Sequence, residues 1–130
     1  MDKKVIGDPV VINGRSLSLS RAIRAGDFVF LTGQIPMQNN EVMTTGTIED
    51  QTRAVLEEIK KTLAVAGCDL RDIVKSMIWL TSRSDFPGFN DVYAEYFPDK
   101  PPARSAIVSD LLVDVKIEIE VIAYKPEVPF

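Results

Sequence analysis

The chain has 130 residues, 45% of them hydrophobic and 26% charged, which is the size and composition of one globular domain spanning residues 1–130. Its net charge of -4, without a basic cluster, argues against nucleic-acid binding. The absence of histidine and the single cysteine, Cys68, exclude an intrachain disulfide, a Ser-His catalytic dyad and the usual zinc ligand sets. We therefore expect no metal or other cofactor, and any catalysis should use carboxylates, hydroxyls, arginine, backbone groups or bound water.

No apolar run approaches the roughly 18 residues that a membrane-spanning helix needs. Residues 1–4 also lack the apolar stretch of a signal peptide, and a lone cysteine suits a reducing compartment. We therefore expect a soluble protein of the cytoplasm with no membrane partner.

The first half of the chain contains signals for two strands and a helix. Alternating polar and apolar residues predict a strand over 16–24, and the apolar run 28–32 after a tight turn predicts a second, buried strand. A loop is expected from Gly33 through Gly46. Apolar residues spaced by three and four predict a helix from 48 to 66, which begins with a capping box of Thr47 and Asp50 and ends at Gly67.

The second half contains signals for three strands and another helix. Residues 73–80 are rich in β-formers, and the helical spacing from Phe89 to Phe97, with Pro87 in the first turn, predicts the second helix. Residues 105–108 and the alternating segment 113–124 predict two further strands. The order β-β-α-β-α-β-β indicates an α+β fold, with two helices packed on one face of a mixed sheet.

Two helices leave the other face of such a sheet without a cover. Its apolar residues include Leu17, Leu19, Phe28 and Phe30. Oligomerisation would cover them, and the alternative is a curved sheet with a sufficiently polar outer face.

Two kinds of charged residue are candidates for a site. Arg104 follows a rigid proline segment, and its planar guanidinium suits bidentate binding of a carboxylate. Glu118 and Glu120 share one face of the last strand, so that either can act as a positioned acid or base. The alternatives are a surface arginine and a solvated strand face with Lys116 as the partner of the glutamates.

Neutral residues offer further candidates. Thr32 and Gly33 end a buried strand, where a hydroxyl and free backbone amides become available to a ligand. Asn90 lies near the start of the second helix. Taken one at a time, a strand-ending turn and a solvent-facing asparagine explain these residues equally well.

Considered together, five segments resemble the YjgF/Rid family in order and spacing. They are Leu31-Thr32-Gly33-Gln34-Ile35-Pro36, Gln51-Thr52-Arg53-Ala54, residues 89–97, Pro102-Ala103-Arg104-Ser105 and residues 116–123. The resemblance implies a chorismate-mutase-like fold and a homotrimer with clefts between neighbouring subunits. In the deaminase branch it implies cofactor-free hydrolysis of reactive 2-imino acids, such as 2-iminobutanoate and 2-iminopropanoate, to 2-keto acids and ammonia.

The resemblance also implies roles for individual residues. Arg104 matches the arginine that grips the carboxylate of the small-molecule substrate, and Glu118 matches the glutamate that orients the attacking water. Thr32 keeps a hydroxyl where the deaminases usually have serine. Asn90 matches the family asparagine, and backbone groups at Gly33, Ser105 and Ala106 are expected to line the substrate.

Two departures bear on the substrate. Leu19 stands where the deaminases have a tyrosine, and Ala106 stands where they usually have a cysteine. A more apolar wall should favour a different or bulkier substrate, or a trimer that binds small molecules without turning them over. A chaperone-like or regulatory trimer has no positive motif here, and the acidic charge and absent histidine argue against an endoribonuclease.

Overall fold

The computed structural model describes residues 2–12 and 14–127. Two α-helices and ten strands are found in this part of the chain. They are β1 (Lys4–Ile6), β2 (Val11–Ile12), β3 (Arg15–Ser16), β4 (Ala22–Ala25), β5 (Phe28–Leu31), β6 (Met37–Gln38), β7 (Glu41–Val42), α1 (Ile48–Val65), β8 (Ile73–Leu80), α2 (Phe86–Tyr96), β9 (Ala103–Val108) and β10 (Ile117–Tyr124).

Six of the strands form one mixed sheet in the order β1-β4-β5-β10-β8-β9. All neighbours are antiparallel except β8 and β9, which are parallel and are connected through α2. Strand β9 lies at an edge of the sheet, and its Ile107 and Val108 are 46% and 51% exposed. The predicted α+β fold with a mixed sheet and two helices is confirmed.

The hydrophobic core fills the space between the sheet and the two helices. In the central strand β10, Ile117, Ile119 and Val121 are buried. Helix α1 contributes Leu56 and Ile59, among others, to the same core cluster. Both helices lie on this face, and the outer face of the sheet is left without a cover from the described residues.

The uncovered face, which we call the open face, is apolar over a large part. Phe28, Phe30 and Tyr124 are each just over two-fifths exposed. The ring of Phe28 lies 5.2 Å from that of Tyr124 and 6.4 Å from that of Phe30. Strand β5 was expected to be buried on both faces, but only its helix-facing side, with Val29 and Leu31, is buried.

The helices begin and end where the sequence predicts, within a residue or two. Thr47 Oγ1 accepts from the Asp50 N–H, and Asp50 Oδ2 accepts from the Thr47 N–H, both at 3.1 Å. Gly67 follows α1 with a φ of 77°, the left-handed conformation that ends many helices. Within the described residues, neither helix has the length and apolarity required to span a bilayer.

The first predicted strand was too long. The β structure predicted at 16–24 is limited to the end of β3 and to β4, because the segment between them bends away from the ladder. Here the Leu17 N–H donates to the carbonyl of Val10 and the Leu19 N–H to that of Leu17. Strand β1, which was not predicted, pairs with β4 instead. Alternation alone does not separate an exposed bend from a half-buried strand.

Three further boundaries were wrong, the first being the start of β9, which lies at Ala103 rather than at residue 105. The predicted loop at 33–46 contains the hairpin of β6 and β7, whose two turn residues, Asn39 and Asn40, have positive φ angles of 53° and 64°. Asparagine tolerates this conformation, so an Asn-Asn pair was an available signal. The last strand begins at Ile117 rather than 113, because the chain bends sharply and the Val115 N–H donates to the carbonyl of Val113.

We expect Thr47→Ala to lower the free energy of unfolding by about 1 kcal/mol, because it removes the side-chain cap of α1. Urea denaturation followed by circular dichroism measures this change. Thr45→Ala is the matched control, since Thr45 is exposed and contributes only its backbone carbonyl to a hydrogen bond. An equal loss in both variants would contradict the capping role.

Candidate functional site

Glu118 lies on the open face of β10, with its carboxyl group packed against Gly33. A Cβ atom at position 33 would lie 3.2 Å from Glu118 Cδ and nearer still to Oε2. The φ of Gly33 is not in the left-handed region, so the close approach of the carboxyl group, rather than the backbone conformation, accounts for a glycine here.

A β-bulge brings this glycine to the carboxyl group. Phe30 pairs with Ile122, whereas Gln34 forms a bridge with Ile119. Between these two pairs, the segment that follows Phe30 has three residues, whereas β10 has two. The extra residue is accommodated where Thr32 and Gly33 lie. Bulges of this kind redirect side chains and are frequent beside active sites.

The surroundings of Glu118 favour its protonated form. Partial burial raises the pKa of the Glu118 carboxyl above its ordinary value, and repulsion from Glu120 on the same face raises it further. The group therefore keeps its proton to a higher pH than an exposed glutamate does. A carboxyl group with a raised pKa is suited to exchange a proton with a bound water.

An open groove of about 560 Å³ lies next to this bulge. Thr32 and Leu19, predicted from the sequence as a catalytic and a substrate-binding residue, both line it. The other residues that line the groove are Lys3, Ser18, Ser20, Ile23, Phe30 and Leu31. Its walls are therefore mixed, with hydroxyl groups and one cation beside apolar side chains.

Arg104 lies on β9 in a cradle of aromatic rings contributed by α2. Its Nη2 donates to Asn90 Oδ1 at 2.6 Å. The guanidinium carbon lies 4.9 Å from the ring centroid of Tyr93, 5.4 Å from Phe89 and 5.7 Å from Phe86. Among residues 2–12 and 14–127, no carboxylate forms an ion pair with this guanidinium. Its remaining donors are therefore available to an anionic ligand.

A hydrogen bond holds the nearest ring of the cradle. Tyr93 Oη donates to Ser76 Oγ at 3.0 Å, and burial raises the pKa of the Tyr93 hydroxyl. The sequence analysis treated Phe89 and Tyr93 only as core positions of a helix. Phe89 and Tyr93 are four residues apart, so they lie on the same side of α2, and Asn90 directly follows Phe89. This spacing was the signal that all three contact the same residue.

The sheet separates Arg104 from Glu118 within one copy. Glu118 pairs with Trp79 of β8, and Arg104 pairs with Ser76 of the same strand. Positions 76 and 79 are an odd number of residues apart and so face opposite sides of the sheet. Two strand spacings across and three residues along place the Cα atoms of Glu118 and Arg104 about 14 Å apart.

The predicted site residues therefore fall into two groups. Leu19, Thr32, Gly33 and Glu118 gather around the bulge, which we call the Glu118 group, whereas Asn90 and Arg104 form the Arg104 group. Ser105 and Ala106 follow Arg104 on β9. The Ser105 side chain lies on the open face, where its Oγ accepts from Lys75 Nζ at 3.5 Å.

No set of three or more potential metal-ligating side chains is grouped in the described ranges of the chain. The Glu118 group and the Arg104 group together offer a guanidinium, a carboxyl group, a hydroxyl group and backbone amides.

Comparison with known proteins gives consistent matches. The model of a family described as endoribonuclease L-PSP matches residues 15–125. A RutC family protein of Pyrococcus horikoshii is 51% identical over 109 residues, which cover 82% of this chain and 86% of the relative. The 3-aminoacrylate deaminase RutC of Acinetobacter baylyi is 41% identical over 105 residues, 79% of this chain and 83% of the relative.

A yeast protein matches in both sequence and structure. The mitochondrial protein MMF1 of Saccharomyces cerevisiae is 37% identical over 107 residues, 82% of this chain and 74% of the relative. A crystal structure of yeast Mmf1 aligns with a TM-score of 0.86 and 31% identity, covering 95% of this chain and 99% of that one. The similarity thus extends over nearly the whole fold.

We expect Glu120→Gln to lower the pKa of Glu118, because the substitution removes a like charge on the same face. A ¹³C NMR titration of the side-chain carboxyls, with the Glu118 signal assigned through Glu118→Gln, measures the change. Glu41→Gln on the distant β6–β7 hairpin is the matched control. A Glu118 midpoint that does not move, or that rises, would contradict this account of the carboxyl's surroundings.

Proposed function

Because the chain belongs to the endoribonuclease L-PSP family, which is the YjgF/Rid family, we propose that it hydrolyses reactive 2-imino acids to 2-keto acids and ammonia. The observation that carries this proposal is the pairing of a guanidinium with free donors and a carboxyl group with a raised pKa on one small fold. An imino acid presents the two features that such groups recognise, a carboxylate and an electrophilic carbon next to it.

Arg104 holds the substrate carboxylate. Its hydrogen bond to Asn90 and the three aromatic rings fix the plane of the guanidinium, so that two parallel donors point in one direction. The rings also exclude water from one side of the cation, which strengthens its attraction for an anion. The carboxylate anchor thereby sets the distance from the imine carbon to the other groups.

Glu118 acts on the water. The substrate enters as an iminium, whose protonated nitrogen makes the adjacent carbon a strong electrophile. The ionised carboxylate accepts a proton as water adds to this carbon and forms a carbinolamine. It then returns that proton to the nitrogen. As ammonia leaves, the carboxylate takes the proton of the carbinolamine hydroxyl, the carbonyl of the keto acid forms, and the carboxyl group releases this last proton to solvent. A labile imine needs only this positioning and proton transfer.

The two groups meet, in this proposal, between two copies of the chain. Arg104 and Glu118 face opposite sides of one sheet, so that no ligand of imino-acid size contacts both within one copy. The open face with Phe28, Phe30 and Tyr124 is the surface that a second copy would cover. A ring of three copies, the homotrimer that the family resemblance implies, repeats the contact three times and forms three clefts.

The groove next to the Glu118 group favours a small molecule with an apolar substituent. Leu19, Ile23 and Phe30 supply apolar walls, and Thr32 supplies a hydroxyl that can bond the imine nitrogen. We therefore propose substrates of the 2-iminobutanoate and 2-iminopropanoate type and larger apolar homologues. For location we propose the cytoplasm, and imaging of a fluorescent fusion tests it against the mitochondrial location named for the yeast relative.

A trimer that binds carboxylates without turnover is the second candidate. Leu19 and Ala106 motivate it, since both replace groups that the deaminases place in the cleft. If the wild-type protein binds a substrate analogue as tightly as an active deaminase does but shows no turnover, this second candidate is supported. Cleavage of RNA, which the family's name suggests, is tested in the same preparations.

We expect Arg104→Ala to lower kcat/KM by on the order of a hundredfold, the loss of hydrogen bonds to a charged group. Arg104→Lys should lose about tenfold, because lysine keeps the charge and lacks the planar fork. The assay generates imino acids with an amino-acid oxidase and traps the residual imine with semicarbazide. Arg83→Ala, on an exposed arginine outside both groups, is the control. If wild type fails to accelerate imine loss for small, branched and aromatic substrates, the deaminase proposal is wrong.

Mixing two inactive variants tests the shared cleft. We expect Glu118→Gln to lower kcat by about a hundredfold. Co-expression of Arg104→Ala with Glu118→Gln should then restore activity, because random assembly of a ring gives about a quarter of the clefts both intact groups. Activity that remains at the level of the separate variants would contradict a site shared between copies.

A further inference from the structure

Gln51 is the largest of three buried polar side chains on α1, the others being Thr52 and Thr62. Gln51 is fully buried and occupies the turn between Ile48 and Val55, two residues of the core. A glutamine seldom occupies such a position unless both ends of its amide are paired. The spacing of the stripe passes through position 51, so that the sequence alone shows a polar residue where the helix needs an apolar one.

Both ends of this amide are used, and they join two segments that are far apart in sequence. Gln51 Nε2 donates to the carbonyl of Thr45 at 3.1 Å, just before the helix begins. Gln51 Oε1 accepts from the backbone N–H of Lys116 at 2.8 Å. The side chain therefore connects the start of α1 to the residue that precedes β10.

The start of β10 is also held by its pairing with β8, in which Ile117 lies opposite Leu80 and Glu118 opposite Trp79. The carbonyl of Lys116 accepts from the Thr81 N–H at 3.1 Å. Three residues on, Ile119 exchanges two backbone hydrogen bonds with Gln34, at 2.8 and 3.0 Å. Glu118 lies between these points, directly beside the bulge. To these contacts the Gln51 bond adds a direct link from α1 to the backbone, two residues before the carboxyl group.

A second buried glutamine acts on the opposite segment. Gln34 Nε2 donates to the carbonyl of Thr32 at 3.2 Å, which stabilises the bulge itself. The two sides of the contact between Gly33 and Glu118 are therefore each held by a side-chain amide. Hydrogen bonds made by a buried side-chain amide are directional, so they fix the position of the backbone more closely than apolar packing does.

We propose that Gln51 is a positioning residue for Glu118, acting through the backbone of Lys116 to hold the carboxyl group against Gly33. As a role in the reaction this rests on the proposed function, whereas the placement of the carboxyl group does not. Gln51 is buried between α1 and the sheet, on the opposite side of the sheet from Glu118.

Substitutions of Gln51 distinguish the two hydrogen bonds that its side-chain amide makes. Gln51→Met keeps the length of the side chain and removes both bonds, leaving the Lys116 N–H and the Thr45 carbonyl unpaired. Gln51→Glu keeps an acceptor for the Lys116 N–H. Thr62→Val is the matched control, because Thr62 is also buried on α1 but bonds only within its own helix, to the carbonyl of Glu58. All variants are compared at a temperature at which near-ultraviolet circular dichroism shows them folded.

The first readout is the ¹³C NMR titration of the Glu118 carboxyl, which requires no activity. In Gln51→Met the midpoint should fall, because a loosened start of β10 lets water reach a group whose pKa burial has raised. Among the described residues, Glu120 of the same strand is the charged group that acts on this carboxyl, and Lys3 lines the adjoining groove; every variant keeps both. Gln51→Glu should stay nearer to wild type, and Thr62→Val should not differ from it.

The second readout is the split between kcat and KM in the imine assay. Gln51→Met should lower kcat by about tenfold or more, as a displaced catalytic group does, with KM changed less than about twofold. An unmoved Glu118 titration in folded Gln51→Met overturns the inference, whether or not the wild type is a deaminase. If the Glu118 midpoint shifts in Gln51→Met but the wild type has no deaminase activity, the positioning role of Gln51 is supported and only the proposed reaction is wrong.

Discussion

The alternation of side chains along β10 is the constraint on which both the core and the candidate site depend. This strand lies between β5 and β8, and Ile117 and Ile119 are fully buried against the helices. Glu118 must then point to the open face, since a shift of one residue would expose the isoleucines. The same rule sends Arg104 to the helix side of β9, so that the sheet that builds the core also keeps the two charged groups apart.

Much of the fold followed from periodicity, because burial on one face imposes a repeat on the sequence. Helix α1 has both a stripe and a capping box, and β8 and α2 are long enough for their patterns to be distinct. Leu17 and Leu19 were misassigned because an exposed bend can alternate in the same way as a strand. Short strands such as β1 form through pairing with a distant segment, and three residues carry too little pattern to reveal it.

The candidate site was only partly accessible from the sequence. The motifs pointed to Arg104, Asn90 and Glu118, and the hydrogen bond between the first two is present. The face on which Glu118 lies follows from the alternation of β10, whereas the face of Arg104 depends on the pairing of β9 with β8, which no local pattern encodes. The aromatic cradle and the role of Gln51 also depend on contacts between distant segments. A polar residue in an apolar stripe was nevertheless visible, and such exceptions indicate where a fold holds its functional residues.

Strand β9 carries Arg104 and forms an edge of the sheet, with β8 as its only strand partner in the described part of the chain. Its outer row of N–H and C=O groups, next to exposed Ile107 and Val108, is a template on which another extended chain can add. Neither a proline nor a lysine lies within the strand to discourage this. An isolated copy of the chain is therefore at risk of edge-to-edge aggregation through β9 unless another chain covers this edge.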